Sequence, residues 1–366
     1  MKYCCMVCGK EWDYSVDACI FCGGRVSKMS INKYSVEEFT QVSVASEDHP
    51  IIPYYVMLLK DADSSYRFKK TFVRPNIGDT IYIKGEHDEK YTIGVIGTGI
   101  TGRGIAEVAI RAGNKVILKS RSNAALENAL DMLSRKLSKS MSPSEAQTIL
   151  NNITITTNYD TLAESDFIIE SVIEDLRVKK IIFRELDSIC DPDVVLASNT
   201  SSLRISQIAE DLMHPERIVG LHFFNPITRM QLVEIVQLEN SSEDVLIKCA
   251  ELVDRLDKVF VMVKDIPGFV VNRLLFVMIS EACHMLEEGI SKIEDIDKAM
   301  KLGANYPMGP FELADLIGLD LCLEIIENLN RSVPGTQFRP SDILRDLIKR
   351  GRKGKKSGKG FYEYGY

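Results

Sequence analysis

Four polar residues between positions 198 and 272 each sit in a stretch that explains their place. Ser201 lies in Ser198-Asn199-Thr200-Ser201-Ser202, and His222 in Gly220-Leu221-His222-Phe223-Phe224-Asn225-Pro226. Glu234 is the one charge in Leu232-Val233-Glu234-Ile235-Val236, and Asn272 follows Gly268-Phe269-Val270-Val271. Imidazole titrates near neutrality without large tuning, so His222 suits proton transfer. A carboxylate among aliphatic side chains is costly to ionise alone; pairing Glu234 with His222 offsets that cost, raises the ring's basicity and fixes its tautomer. Such a base and its orienter fit removal of a hydroxyl proton while a hydride leaves the same carbon. Taken singly, His222 reads equally well as a core histidine, and Ser201 and Asn272 as caps.

A hydride needs an acceptor, and the upstream sequence supplies a place for one. An apolar strand at 91–96 runs into Gly97-Thr98-Gly99-Ile100-Thr101-Gly102-Arg103-Gly104 and a helical stretch at 105–112. Gly97 permits the tight turn, Gly99 lets a pyrophosphate approach the backbone, and Gly102 lets helix pack on strand; the phosphates then meet the helix N-terminus. A second strand at 115–119 ends in Lys119-Ser120-Arg121-Ser122, where an NAD enzyme normally carries Asp or Glu for the ribose hydroxyls. A carboxylate there would repel a 2′-phosphate, whereas Ser120 can donate to one and Arg121 can pair with it bidentately. The departure favours NADP over NAD; the bland alternative is a solvated loop.

These residues need a scaffold. Strands at 153–157, 167–170, 194–198 and 218–223, with a helix at 179–189, predict a doubly wound α/β domain whose ligands lie at the strand C-terminal ends. Ser201 and His222 fall at or near such ends. A helix at 124–141 and another opened by the capping box Ser142-Pro143-Ser144-Glu145 intervene. Arg135, Lys136 and Lys139 offer either a face for a phosphate-bearing substrate or a solvated surface. From about residue 264 the pattern is helical, at 270–287, 293–302, 310–328 and 341–349, so an all-α C-terminal domain is expected. Residues 349–359 then carry seven basic side chains and no acidic one.

The first ninety residues differ. Cys5-x-x-Cys8-Gly9 and Cys19-x-x-Cys22-Gly23 are two knuckles ten residues apart. Four thiolates at ~2.3 Å would close a structural Zn site. Cys4 competes with Cys5, and iron uses the same ligands. Short runs at 40–45, 54–59, 67–73 and 80–83, with a turn at Asn76-Ile77-Gly78-Asp79, predict a small barrel. The expected division is 1–30 zinc ribbon, 31–90 OB-like module, 91–264 dinucleotide-binding domain and 265–366 helical domain.

Composition narrows the class. The 366 residues carry a net charge of −7 and a pI near 5.5, against a general nucleic-acid or anionic-membrane binder. No apolar run approaches the ~20 residues of a membrane span, and residues 1–20 lack a signal-peptide core. Apart from the N-terminal cysteines, the rest stand singly, as reduced core thiols; a cytoplasmic protein is expected.

The motifs Gly97–Gly104, Ala197–Ser202, Gly220–Pro226, Pro267–Arg273, Met308-Gly309-Pro310-Phe311-Glu312 and Ser357-Gly358-Lys359-Gly360-Phe361-Tyr362 stand in the order seen in 3-hydroxyacyl-CoA dehydrogenases. From about residue 91 onward the chain resembles that family, close to the 3-hydroxybutyryl-CoA dehydrogenases. The resemblance implies interconversion of (S)-3-hydroxyacyl and 3-oxoacyl thioesters on a Rossmann domain, with a homodimer formed through the helical domain, which also closes over the thioester. It makes His222 the acid/base and Glu234 its partner, with Ser201 and Asn272 holding the reacting oxygen and the thioester side. It also implies cofactor contacts from Glu174, Lys179, Asn199, Asn225 and Lys356, while Ser120 in place of the ribose-binding acid leaves the family's cofactor choice open. Residues 4–84 resemble the rubredoxin-like zinc ribbon plus OB-fold modules that accompany acyl-CoA-handling enzymes, which suggests docking or acyl-carrier recognition. The competing expectations are the same chemistry on an acyl-carrier protein, a sugar-acid dehydrogenase, and a scaffold with vestigial catalysis.

Overall fold

The computed structural model describes residues 90–333, 335 and 337–365, and before residue 90 the strands named here together with residues 64, 77 and 78. Strands β1 (Lys2–Cys5), β2 (Glu11–Trp12) and β3 (Val26–Met29) make an antiparallel sheet in the order β2-β1-β3. Strands β4 (Ile31–Val42), β5 (Tyr54–Asp61), β6 (Tyr66–Thr71) and β7 (Thr80–Lys84) make a second, in the order β6-β5-β4-β7, around Val36, Met57 and Leu59. The sequence predicted the first of these strands only from residue 40. The β4–β5 register shifts between Val36 and Glu38, which breaks the alternation that reveals a strand. Cys8, Cys19 and Cys22 lie outside the described residues, and of Cys5 only the strand is described. Among the described residues no cluster of three or more His, Cys, Asp or Glu could hold a metal.

The α/β part begins as alternating strands and helices, with two helices before its third strand. Strand β8 (Thr92–Ile96) leads to α1 (Ile100–Arg111), β9 (Lys115–Lys119), α2 (Asn123–Leu137), α3 (Pro143–Leu150) and β10 (Ile153–Thr156). Then come β11 (Phe167–Glu170), α4 (Leu176–Ile189), β12 (Val195–Ser198), α5 (Ile205–Ala209), β13 (Ile218–Phe223), β14 (Leu232–Gln237), α6 (Glu243–Arg255) and β15 (Val259–Lys264). The sheet order is β10-β9-β8-β11-β12-β13-β14-β15, parallel throughout except for the antiparallel pair β13–β14. Period-two alternation places Val95, Leu118 and Ile169 against α1, α2, α3 and α6, and Ile96, Ile117 and Ile168 against α4 and α5. Helix α4 starts at Leu176, before the predicted 179, because Asp175 caps it by accepting from the Arg177 and Val178 amides.

The C-terminal helices are α7 (Val271–Glu287), α8 (Ile293–Gly303), α9 (Pro310–Ile317), α10 (Leu319–Ser332) and α11 (Asp342–Lys349). One helix was expected over 310–328. Gly318 at φ 104° breaks it in two, a conformation open to glycine. The tail folds back onto this bundle. Asp315 accepts from the Phe361 and Tyr362 amides and the Tyr364 hydroxyl, so close that a Cβ on Gly360 would lie 1.8 Å from its Oδ1. Among the described residues no helix is long and apolar enough to cross a membrane.

Candidate active site

His222 and Glu234 lie directly opposite each other in the β13–β14 ladder. Antiparallel pairing puts facing side chains on one side of the sheet, so the register alone brings ring and carboxylate together. His222 Nδ1 and Glu234 Oε2 are 2.7 Å apart, with His222 5% exposed and Glu234 0%. The rings of Phe224 and Phe269 stand 4.5 and 5.6 Å from the imidazole centroid and exclude water from one flank.

The other Glu234 oxygen does something the sequence did not reveal. Oε1 accepts from the amides of Val270 and Val271, both at 2.9 Å, where α7 begins. A negative group at a helix N-terminus satisfies orphan amides and the dipole together. One carboxylate therefore orients the imidazole and anchors the helix that carries Asn272. Asn272, 9% exposed, donates from Nδ2 to the Ser201 carbonyl at 3.1 Å. Asn199 Oδ1 accepts from the Phe223 amide at 2.8 Å, tying the Ser198–Ser202 loop to β13. All four predicted catalytic residues thus share one neighbourhood.

Glu174 holds that loop from below. Its Oε1 accepts from Thr200 Oγ1 (2.6 Å), the Ser201 and Ser202 amides (3.0 and 3.1 Å) and Ser202 Oγ (2.9 Å). Burial pushes its pKa up, but Lys179 and these hydrogen bonds outweigh burial and keep it below the usual carboxylate range. Lys179 is 1% exposed, with Nζ 2.7 and 2.9 Å from the Glu170 oxygens and 3.4 Å from Glu174. Glu170 also accepts from Ser198 Oγ at 2.7 Å. Lys179 thus lies as a strut beneath the loop, at a position where the family resemblance implies a cofactor contact. Lys356 pairs with Asp320 at 2.5 Å.

The glycine loop frames a cavity of about 600 Å³ lined by Gly97, Thr98, Gly99, Lys119, Ser120, Arg121 and Tyr159, among others. A Cβ on Gly97 would lie 2.3 Å from the Ser171 carbonyl and one on Gly102 2.0 Å from the Gly97 carbonyl, while one on Gly99 would point into open space. The first two glycines are required by packing; the third keeps the backbone accessible, which fits a pyrophosphate. Arg103 donates to the Thr98 carbonyl and fixes the loop, Thr98 and Ser120 hydroxyls are 3.4 Å apart, and Asn225 Nδ2 donates to Thr101 at 3.1 Å. Lys119 carries no motif signal beyond ending a strand with an apolar centre. It is 3% exposed, with Nζ 3.3 Å from the Tyr159 ring centroid; burial first, then Arg121, lowers its pKa.

A second cavity of about 880 Å³ is lined by Arg111, Arg135, Lys136, Lys139, Arg229 and Arg255, with Glu107 and Asp257. Glu107 pairs with Arg111 at 3.1 Å and Lys136 at 2.8 Å. Beside it, buried Lys258 donates to the Ile227 and Met230 carbonyls at 2.6 and 2.7 Å, pinning the connection from β13 to β14. Burial brings the Lys258 pKa down to about 8. No motif signalled that lysine.

Comparison with known proteins places this arrangement. Residues 92–266 match the 3-hydroxyacyl-CoA dehydrogenase NAD binding domain, and residues 268–364 the C-terminal domain of the same enzyme. A 3-hydroxybutyryl-CoA dehydrogenase of Clostridioides difficile is 41% identical over 278 residues, 74% of this chain and 99% of that one. The mitochondrial hydroxyacyl-coenzyme A dehydrogenase of Sus scrofa is 38% identical, over 74% of this chain and 90% of its own. The crystal structure of an (S)-3-hydroxybutyryl-CoA dehydrogenase from Ralstonia eutropha superposes with a TM-score of 0.72 at 35% identity, covering 76% of this chain and all of that one.

Proposed function

This chain belongs to the 3-hydroxyacyl-CoA dehydrogenase family, and we propose that it interconverts (S)-3-hydroxyacyl and 3-oxoacyl thioesters of coenzyme A. It is an oxidoreductase of the NAD-dependent type acting on CH–OH. The observation that carries the mechanism is the 2.7 Å contact between His222 Nδ1 and Glu234 Oε2 in an apolar setting. With Glu234 ionised, Nδ1 carries its hydrogen toward the carboxylate, and Nε2 keeps its lone pair for the substrate hydroxyl. His222 takes the hydroxyl proton in oxidation and returns it in reduction. Bound nicotinamide supplies the hydride acceptor or donor. Ser201 and Asn272 hold the reacting oxygen and the thioester side, and Glu174, with Lys179 behind it, keeps their loop in register.

For the cofactor, Gly97, Gly99 and Gly102 shape the pyrophosphate cradle, and Asn199, Asn225, Glu174 and Lys356 are proposed contacts. Ser120 and Arg121 favour a 2′-phosphate, so NADP is the preferred carrier within an NAD-type fold. The basic cavity with Arg135, Lys136 and Lys139 suits the phosphates of coenzyme A. Four-part division at residues 30, 90 and 264, a structural Zn held by Cys5, Cys8, Cys19 and Cys22, an OB-like module over 31–90 and a homodimer through the helical domain complete the proposal. Measuring oxidation of NADPH and NADH with acetoacetyl-CoA, and with the same acyl group on a carrier protein, tests it. Turnover of the coenzyme A thioester is expected; inactivity on every thioester would overturn the reading.

A further inference from the structure

The end of β9 concentrates positive charge in a way that the proton chemistry does not use. Lys119 is nearly fully buried, lines the glycine-loop cavity, and rests its ammonium on the Tyr159 ring. Arg121 lines the same cavity two residues on, together with the hydroxyls of Thr98 and Ser120. Among the described residues lining that cavity none is a carboxylate. Glu185 of α4 acts on Lys119 only at longer range, while Arg121 repels it. Two like charges and two hydroxyls converging on one end of a cavity form a donor set for a dianion. An ammonium seated on an aromatic face is held without being neutralised, so its charge remains available to a ligand.

We infer that Lys119, seated on Tyr159, is the second cation of a phosphomonoester site completed by Arg121, Ser120 and Thr98, and that this site takes the 2′-phosphate of NADP. The inference rests on the proposed cofactor preference and adds a determinant to it. Arg121 supplies the planar fork from the rim, and Lys119 a point charge from the floor. A phosphate at this place meets two cations and at least two hydroxyl donors, whereas a ribose hydroxyl meets no carboxylate to accept from it. Lys119 thus discriminates by stabilising the phosphate, while Ser120 stands where the acid that holds a free ribose would be.

Binding of 2′,5′-ADP and 5′-AMP to the full chain, measured by calorimetry, isolates this corner of the cavity. The unmodified protein should bind 2′,5′-ADP at least tenfold more tightly than 5′-AMP, and Lys119→Met should remove most of that ratio by weakening 2′,5′-ADP alone. Lys119→Gln, polar and uncharged, serves as a second variant against misfolding and should give the same change. If Arg121→Ala abolishes the ratio while both Lys119 variants keep it, Lys119 has no such role and the cofactor preference stands. If both Lys119 variants weaken the two ligands equally, the residue only props the adenine end and the inference fails. If the unmodified protein binds 5′-AMP as well as 2′,5′-ADP, the cofactor preference fails and takes this site with it.

Discussion

The two ends of the sheet's carboxyl edge handle charge in opposite ways. At the end of β13, each buried charge has a partner of matching character: His222 faces Glu234, Glu234 also accepts from two α7 amides, and Lys258 is held by two carbonyls. At the end of β9, Lys119 and Arg121 share a cavity wall with hydroxyls and no carboxylate. The first arrangement fixes geometry, because a proton transfer requires a ring held in one orientation with one free nitrogen. The second fixes sign, because ligand choice there depends on which charge is absent from the wall. On the proposed function, geometry and selectivity are assigned to different strands of one sheet.

The largest test breaks the first half of that contrast. His222→Ala should lower kcat on acetoacetyl-CoA by about 10²–10⁴, with little change in cofactor binding. Glu234→Gln separates the two duties of that carboxylate. Its carbonyl oxygen can still accept from the α7 amides, so the fold should persist while kcat falls by roughly 10². A drop in thermal stability as large as that of Glu234→Ala would mean that the charge itself holds α7.

Next comes the selectivity end. Arg121→Ala should cost about 10- to 100-fold in kcat/KM for NADPH, the size of a charge-assisted pair, and less than about threefold for NADH. Equal losses would collapse the contrast between the two ends. The Glu174→Gln variant probes the loop between them. The folded pKa of Glu174 lies below its unfolded value, so its contribution is present above the unfolded pKa and lost as pH falls through the folded one. Glu174→Gln should therefore be less stable by about 1–2 kcal/mol at neutral pH, with the gap closing in acid. A gap independent of pH would show that shape alone matters there.

The sequence made part of each region readable, where the determinants are local. Glycines at 97, 99 and 102 report on turn and packing, and two apolar strands each with one polar residue report on a facing pair. Determinants that join distant segments left no such trace. The Val270 and Val271 amides that bind Glu234, the Glu174 clamp on the 200–202 loop and the Lys119–Tyr159 seat all depend on which loops meet at the sheet edge. Gly318 stands inside the apolar helical pattern expected over 310–328, which does not mark the break that its positive φ makes.

The smallest expected effect concerns Lys258 and sharpens the claim that buried charges near β13 are matched. Its folded pKa of about 8 lies below the 10.5 of a free lysine side chain. Between those values the unfolded chain binds the extra proton and the folded one does not, so stability should rise with pH across that window. The neutral amine keeps donors for the Ile227 and Met230 carbonyls, so the connection should remain in place as the proton leaves. The gain should be about 1 kcal/mol, smaller than the full shift implies, because both carbonyls also favour the charged form. Lys258→Met should abolish the rise and leave two acceptors without their donor, lowering stability at pH 7 as well. Denaturant melts from pH 7 to 10.5 on both proteins would show this. Parallel curves would mean that Lys258 keeps an ordinary pKa, and that carbonyl contacts fully offset its burial.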